Sequence, residues 1–283
     1  MLKIACIQLT SGANISENIE KIAALVAQAA GAGAQIIFTP ENVFLMEDAK
    51  NPQKKYTEAE HPAVKAAADM ARVNNVWLLV GSVAVLSSCH PREGGDLKAY
   101  NRSILFNPSG EIVARYDKIH LFDVEVGDGQ TYRESAKIKA GDKAVMARTP
   151  WGGLGLTICY DLRFPQLFRA LAKAGANIIA VPAAFTQKTG AAHWHILLRA
   201  RAIETGCFIV APAQTGTHAG GRKTYGHSLI INPWGEILAD GGTDEGIIYA
   251  EIDLGEVTQT RAKMPSLQHD VGFVLPEPDA ILP

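Results

Sequence analysis

Cys159 ends the apolar run Gly153-Leu154-Gly155-Leu156-Thr157-Ile158 and is followed by Tyr160-Asp161-Leu162-Arg163-Phe164-Pro165. Proline is a favoured first helical residue, so the segment reads as strand, turn and helix. A thiol at such an elbow is held on rigid backbone and faces the amide N–H groups of the turn. Those donors and the helix dipole favour thiolate over thiol and can cradle an oxyanion. The chemistry this suggests is nucleophilic attack by sulfur. Cys6 and Cys207, inside apolar strands, read instead as small buried hydrophobes.

A nucleophilic thiol needs a base, and histidine is its usual partner. His193 and His195 fall on opposite faces of the helix that runs on to Glu204, which spaces them poorly for chelating a metal together. No HExxH or comparable ligand spacing occurs, and no metal site is expected. A distant histidine can still reach Cys159, so a Cys–His hydrolase or transferase stays open. So does a binding protein with an unreactive thiol.

Glu41, in Thr39-Pro40-Glu41-Asn42, follows a strand and sits at its carboxyl end, the edge where open α/β sheets collect ligands. A partly desolvated carboxylate there has a raised pKa suited to moving a proton near neutrality. Lys118, in Tyr116-Asp117-Lys118-Ile119-His120, closes another strand. Beside Cys159 its ammonium favours thiolate and negative charge on a substrate oxygen; as a surface residue it does neither. Spacing alone does not select these three residues.

The elements that must hold them alternate between short β-branched runs and Ala-rich amphipathic helices, the pattern of an α/β protein. Strands are expected near residues 3–9, 35–39, 76–85, 101–107 and 111–116, with helices near 16–30 and 61–74. The second half resembles the first. Gly33-Ala34-Gln35-Ile36-Ile37-Phe38-Thr39-Pro40 matches Gly175-Ala176-Asn177-Ile178-Ile179-Ala180-Val181-Pro182, and Asn107-Pro108-Ser109-Gly110-Glu111 matches Asn232-Pro233-Trp234-Gly235-Glu236. The Asn-Pro-x-Gly units are tight turns between antiparallel strands. Two such halves packed sheet to sheet give a four-layer α-β-β-α sandwich with an internal pseudo-twofold repeat. We read 1–283 as one domain, with a core of about 3–253 and a C-terminal tail, 254–283.

Composition narrows the function classes. A chain of 283 residues with 47% hydrophobic and 20% charged residues is ordinary for a globular protein, and a formal charge of −2 offers no field for nucleic acid or anionic membrane. No apolar run approaches the ~20 residues of a membrane span, and the N-terminus lacks a signal-peptide pattern. Four cysteines without CxxC or disulfide-framework spacing fit a reducing cytoplasm.

Together, Thr39-Pro40-Glu41-Asn42, Asp117-Lys118-Ile119-His120-Leu121-Phe122-Asp123 and Ile158-Cys159-Tyr160-Asp161-Leu162-Arg163-Phe164-Pro165 resemble the nitrilase superfamily of carbon–nitrogen hydrolases, in that family's order. The resemblance runs from about Lys3 to Asp253. It implies the same sandwich, a Glu41 general base, a Lys118 stabiliser of the oxyanion and a Cys159 nucleophile. It further implies that Glu134, in Thr131-Tyr132-Arg133-Glu134-Ser135, orients Lys118 or the substrate amide. The Tyr160 backbone N–H is expected at the oxyanion. Arg163 either positions a substrate carboxylate or pairs with a neighbouring carboxylate. The elbow, the segment His193–Glu204 and Tyr225-Gly226-His227-Ser228 are similar to the branch holding deaminated-glutathione amidase and omega-amidase. What this implies is amide hydrolysis through a thioester, without cofactor, by a homodimer or higher homo-oligomer. A nitrilase or an N-carbamoyl amide hydrolase would use the same triad. Loops 42–60, 87–98 and 216–223 are expected to shape the pocket.

Overall fold

The computed structural model describes residues 1–46, 54–86, 98–127 and 129–274. Loop 87–98 therefore lies almost wholly outside the described residues, as do Cys89, the turn His90–Asp96 and part of loop 42–60.

Two six-stranded sheets form the frame. In the first, β1 (Leu2–Gln8), β2 (Ile36–Phe38) and β3 (Trp77–Leu86) are parallel, and β4 (Ala99–Phe106) and β5 (Ile112–Asp117) add antiparallel strands. In the second, β6 (Val145–Thr149) runs antiparallel to β7 (Gly152–Leu156). Then β8 (Ala176–Ala180) and β9 (Phe208–Ala211) follow in parallel, and β10 (Leu229–Ile231) and β11 (Ile237–Asp240) close it antiparallel. The strand that completes the first sheet is β12 (Gly246–Ile252), which returns to pair antiparallel with β1 along its full length. Strand order and direction thus match between the sheets, as expected from the repeated segments.

Strand residues alternate between two buried environments, because both sheet faces are covered. Leu2, Ile4 and Cys6 of β1 join Leu154, Leu156 and Ile179 of the second sheet in one core. Ala5 and Ile7 point the other way, toward Ile22 and Val26 of α1 (Ile15–Gly31) and Val64 and Ala67 of α2 (Pro62–Asn74). The second sheet is covered by α3 (Pro165–Lys173) and α4 (Gln187–Thr205), through Phe168, Leu171, Trp194 and Leu198. Local chemistry sets the helix ends. The Asn14 side chain accepts the Ser16 and Glu17 N–H groups at the start of α1, and α2 ends on Asn75 in the left-handed region at φ 53°.

The segment read as a tail begins with a docked helix, α5 (Gly255–Lys263). Val257 is buried, and the Arg261 guanidinium donates to the carbonyls of Thr205 (3.1 Å) and Ala176 (2.8 Å). Beyond it, Asp270 pairs with Arg169 and Lys173 of α3. The sequence pattern of α5 is polar, with one buried apolar residue, which is why periodicity does not reveal its docking. Among the described residues no helix is long and apolar enough to cross a membrane.

Candidate active site

Glu41, Lys118, Glu134, Cys159 and Tyr160 line one cavity of about 370 Å³. Glu41 leaves the end of β2. The Thr39 N–H donates to the Leu79 carbonyl, and its hydroxyl accepts the Gly81 N–H at 3.0 Å, which fixes the exit path. Gly81 has to be glycine there, since a Cβ would stand 2.1 Å from the Thr39 carbonyl oxygen. Only 2% exposed, Glu41 accepts from Lys118 Nζ (2.8 Å) and Asn101 Nδ2 (2.9 Å) on Oε1, and from the Ala184 N–H (2.9 Å) on Oε2. By the repeat, 183–184 is the second half's copy of 41–42. That copy carries small side chains and contributes a backbone donor.

Lys118, equally buried, lies one residue past β5. Its ammonium also donates to both oxygens of Glu134, at 3.2 and 2.9 Å. Glu134 is held in turn by the Phe122 N–H (2.7 Å) and by Asn101 Nδ2 (3.0 Å). One cation thus sits between two carboxylates, with Asn101 bridging the pair.

Cys159 begins a 3₁₀ turn, Cys159–Arg163, with φ at 48°, a conformation that non-glycine residues adopt at a cost. Its N–H donates to the Pro182 carbonyl at 2.9 Å. Asp161, fully buried two residues on, fixes the turn. It accepts the Ile158 N–H (2.8 Å), the Tyr116 hydroxyl (2.7 Å) and the His120 N–H (3.1 Å), and its Oδ1 lies 2.7 Å from His120 Nδ1. Tyr116 and His120 flank Lys118. Asp161 therefore stitches the elbow of the second sheet to the Lys118 segment of the first, and so sets sulfur beside ammonium.

Electrostatics define the resting protonation state. Burial raises the Glu41 carboxyl, but the Lys118 ammonium, its hydrogen bond and Arg222 outweigh that and hold it below the usual carboxylate range. The expectation of a raised Glu41 pKa is thereby corrected: a paired cation wins over desolvation. Burial lowers Lys118, yet Glu134 and Glu41 raise it further, above the ordinary lysine value. Burial and the Glu41 charge push the Cys159 thiol well above its usual value, against the opposing pull of Lys118. Thiol, carboxylate and ammonium are the resting forms, so the expectation that the elbow favours thiolate does not hold at rest. Glu41, Lys118 and the Ala184 N–H bear on the sulfur, and none of these is an imidazole.

Arg163 stands outside the cavity lining. Its guanidinium lies over the rings of Phe185 (5.2 Å) and Tyr160 (5.9 Å) and 3.3 Å from His193 Nδ1, and among the described residues no carboxylate pairs with it. The Tyr160 ring packs edge-on against Phe122 and Phe164. Arg222, from loop 216–223, is one of the cations that line the cavity. It donates to the Ala184 carbonyl, lies 5.6 Å over the Tyr132 ring, and keeps a buried Nε with no hydrogen-bond partner among the described residues. Asn101 and Arg222 have no motif to announce them, and Asp161 sits within the Cys159 motif with nothing in the sequence to show its role. Their positions in a β-strand, a turn and a loop become meaningful only once the two sheets face each other.

The carbon–nitrogen hydrolase family model matches residues 3–262. The deaminated glutathione amidase of a Synechocystis strain is 44% identical over 94% of this chain and 97% of that protein. The human deaminated glutathione amidase is 39% identical over 94% of the chain and 81% of that protein. Among solved structures, Saccharomyces cerevisiae Nit3, a nitrilase-superfamily member, superposes with a TM-score of 0.80 at 28% identity, over 93% of this chain and 94% of that one. The C. elegans NitFhit protein superposes with a TM-score of 0.84 at 34% identity over 95% of the chain, which spans 65% of that longer protein. The chain belongs to the carbon–nitrogen hydrolase family, within the nitrilase superfamily, and is a hydrolase of amide bonds.

Proposed function

We propose that this hydrolase converts a small, carboxylate-bearing amide to an acid and ammonia through a thioester on Cys159. Sulfur attacks the amide carbon as its proton passes to the Glu41 carboxylate. Glu41 can take that proton because Lys118 holds its carboxyl ionised while burial holds the thiol protonated. The carbonyl oxygen gains the negative charge, beside the Lys118 ammonium and, in this reading, the Tyr160 backbone N–H. Collapse breaks the C–N bond, and Glu41-H gives its proton to the departing nitrogen, which leaves as ammonia. Water then adds to the thioester carbon with Glu41 taking its proton. The C–S bond breaks, and that proton returns to sulfur. Glu134 holds Lys118 in place throughout.

The observation that carries the reading is the buried ammonium of Lys118, 2.8 Å from Glu41 and 2.9 Å from Glu134, at the cavity that holds the Cys159 thiol. The substrate class follows from charge. Glu41 and Glu134 are both engaged by Lys118, whereas Lys54, Lys55 and Arg222 also line the cavity and favour an anionic ligand. Relatives named deaminated glutathione amidase support a peptide-like acid with a terminal amide. We place the enzyme in a reducing compartment such as the cytoplasm, which suits a reactive thiol.

The test is ammonia release from a panel of ω-amides, deaminated glutathione and α-ketoglutaramate among them, with matched nitriles alongside. Turnover by the wild type that disappears in Cys159→Ala supports the proposal. Turnover retained by that variant ends it, and acid formed from nitriles but not amides redirects it to nitrile chemistry.

A homodimer is the second part of the proposal. Ile196 and Ile203 of α4 are 70% and 53% exposed, and Trp234, in the turn between β10 and β11, is 54% exposed. Ile203 packs against Gly235 of that turn, so these side chains form one apolar face suited to a second copy.

A further inference from the structure

Away from the cavity, two imidazoles and a carboxylate converge from three elements. His195 projects from α4, His227 precedes β10 and Asp240 ends β11. His195 Nε2 lies 3.1 Å from Asp240 Oδ2, and His227 Nδ1 lies 2.9 Å from Oδ1. The three ligand atoms all fall within 4.8 Å of one another. Bonds of about 2.0–2.1 Å from a tetrahedral ion to imidazole and carboxylate place such atoms roughly 3.4 Å apart, so modest side-chain rotation admits an ion.

The cluster is rigidly built. His227 has φ at 54°, in the left-handed region, where a non-glycine residue needs a reason to stay. Its N–H donates to the Gly242 carbonyl (2.6 Å), and its own carbonyl accepts the indole N–H of buried Trp194 (2.7 Å). Its ring stacks on Tyr225, with centroids 4.5 Å apart. Tyr225 in turn packs onto Gly190 of α4, where a Cβ would stand 2.4 Å from it. Asp240 is steadied by the Gly242 N–H at 2.9 Å. None of the three residues lines the cavity or enters the proposed hydrolysis.

We propose that His195, His227 and Asp240 bind one divalent transition-metal ion, clamping α4 to the last hairpin of the second sheet. The side chains are 29%, 22% and 35% exposed, which leaves solvent to complete the coordination. Two imidazoles with one carboxylate favour zinc, cobalt, nickel or copper over magnesium or calcium. Each ring binds through its unprotonated nitrogen, so a proton on the nitrogen facing Asp240 moves to the ring's other nitrogen, or from a doubly protonated ring to solvent, as the ion enters. The ordinary account of the same distances is two hydrogen bonds to Asp240 and no affinity for metal.

Titration separates the two. Untagged Cys159→Ala protein, chosen because a free thiol also binds zinc, is stripped with chelator and dialysed against micromolar Zn²⁺. The expected result is one zinc per chain with a raised Tm, and with Co²⁺ the visible absorption bands of a low-symmetry nitrogen–oxygen site. Adding His195→Ala or the isosteric Asp240→Asn abolishes all three signals while circular dichroism stays unchanged. In the Cys159-containing enzyme, His195→Ala leaves amide turnover as it was. No zinc retained after dialysis, or equal zinc in the His195→Ala and Asp240→Asn proteins, overturns the proposal.

Discussion

At the scale of single residues, the buried Glu41–Lys118–Glu134 set determines what substitutions and pH will do. Replacing Lys118 with Met removes the charge at the oxyanion and should lower kcat by ~10²–10³-fold. It also strands two carboxylates, and breaking a buried pair this way costs ~3–5 kcal/mol, readable as a lower denaturation midpoint. The pH dependence follows from the shift directions. Glu41 is depressed below its ordinary value of 4.5, so its contribution to stability is present above that value and lost as pH falls through the lower folded pKa. Lys118 is raised above 10.5, so its contribution is full below that value and lost as pH rises through the higher folded pKa. The kcat/KM profile should therefore be flat across neutrality with its acid limb below pH 4.5. An acid limb near pH 6.5 would contradict Glu41 as the resting carboxylate. Arg222→Gln should raise KM for carboxylate-bearing amides ~10- to 100-fold and leave a neutral amide unaffected, the loss expected for a charged hydrogen bond. The strand-end positions of Glu41 and Cys159 were legible in the sequence, but their protonation states were not. Those depend on a lysine 77 residues from the glutamate, brought to 2.8 Å by the fold.

Among the elements, two local devices set the approach to the site. The N-cap of α2 is His61, whose Nδ1 accepts the Ala63 N–H at 3.2 Å. Burial lowers its pKa from 6.5 to about 4. A depressed histidine favours the fold above pH 6.5, and that contribution is lost as pH falls through about 4. His61→Asn keeps a capping acceptor without titrating, so its stability should fall less steeply than the wild type's between those values in urea denaturation. The second device is Gly81. With the Thr39 carbonyl at 2.1 Å from a Cβ, Gly81→Ala should destabilise by roughly 1–3 kcal/mol and displace Glu41, reducing kcat even where the protein remains folded. Strands and helices were readable to within a residue or two wherever apolar periodicity was strong: Lys3–Leu9 was expected where β1 spans Leu2–Gln8, and helix 61–74 where α2 spans Pro62–Asn74. The 3₁₀ turn at Cys159 was not, because its left-handed backbone is imposed by Asp161 and the facing sheet rather than by local propensity. Nor was α5, whose face is held by backbone carbonyls that Arg261 reaches.

For the whole molecule, the repeated Gly33–Pro40 and Gly175–Pro182 segments revealed the paired sheets, since each ends in a β-strand of identical place and direction. The His195–His227–Asp240 cluster escaped the same reading. Histidines on opposite helix faces look unrelated until a hairpin from elsewhere supplies the remaining groups. Light scattering should give a dimer at micromolar concentration, and Ile196→Asp with Ile203→Asp should shift it to monomer. A wild type already monomeric there would remove the apolar α4 face as an interface. The pairing of β12 with β1 has a consequence for biogenesis. Strand β1 has an open edge until residues 246–252, well over 200 residues later in the sequence, have been made. Throughout that interval the nascent first sheet presents a row of unpaired amides on an apolar β-strand, a template for wrong partners. The first sheet is thus completed by a strand made long after its others, and synthesis stalled before residue 246 leaves that sheet with an open, aggregation-prone edge.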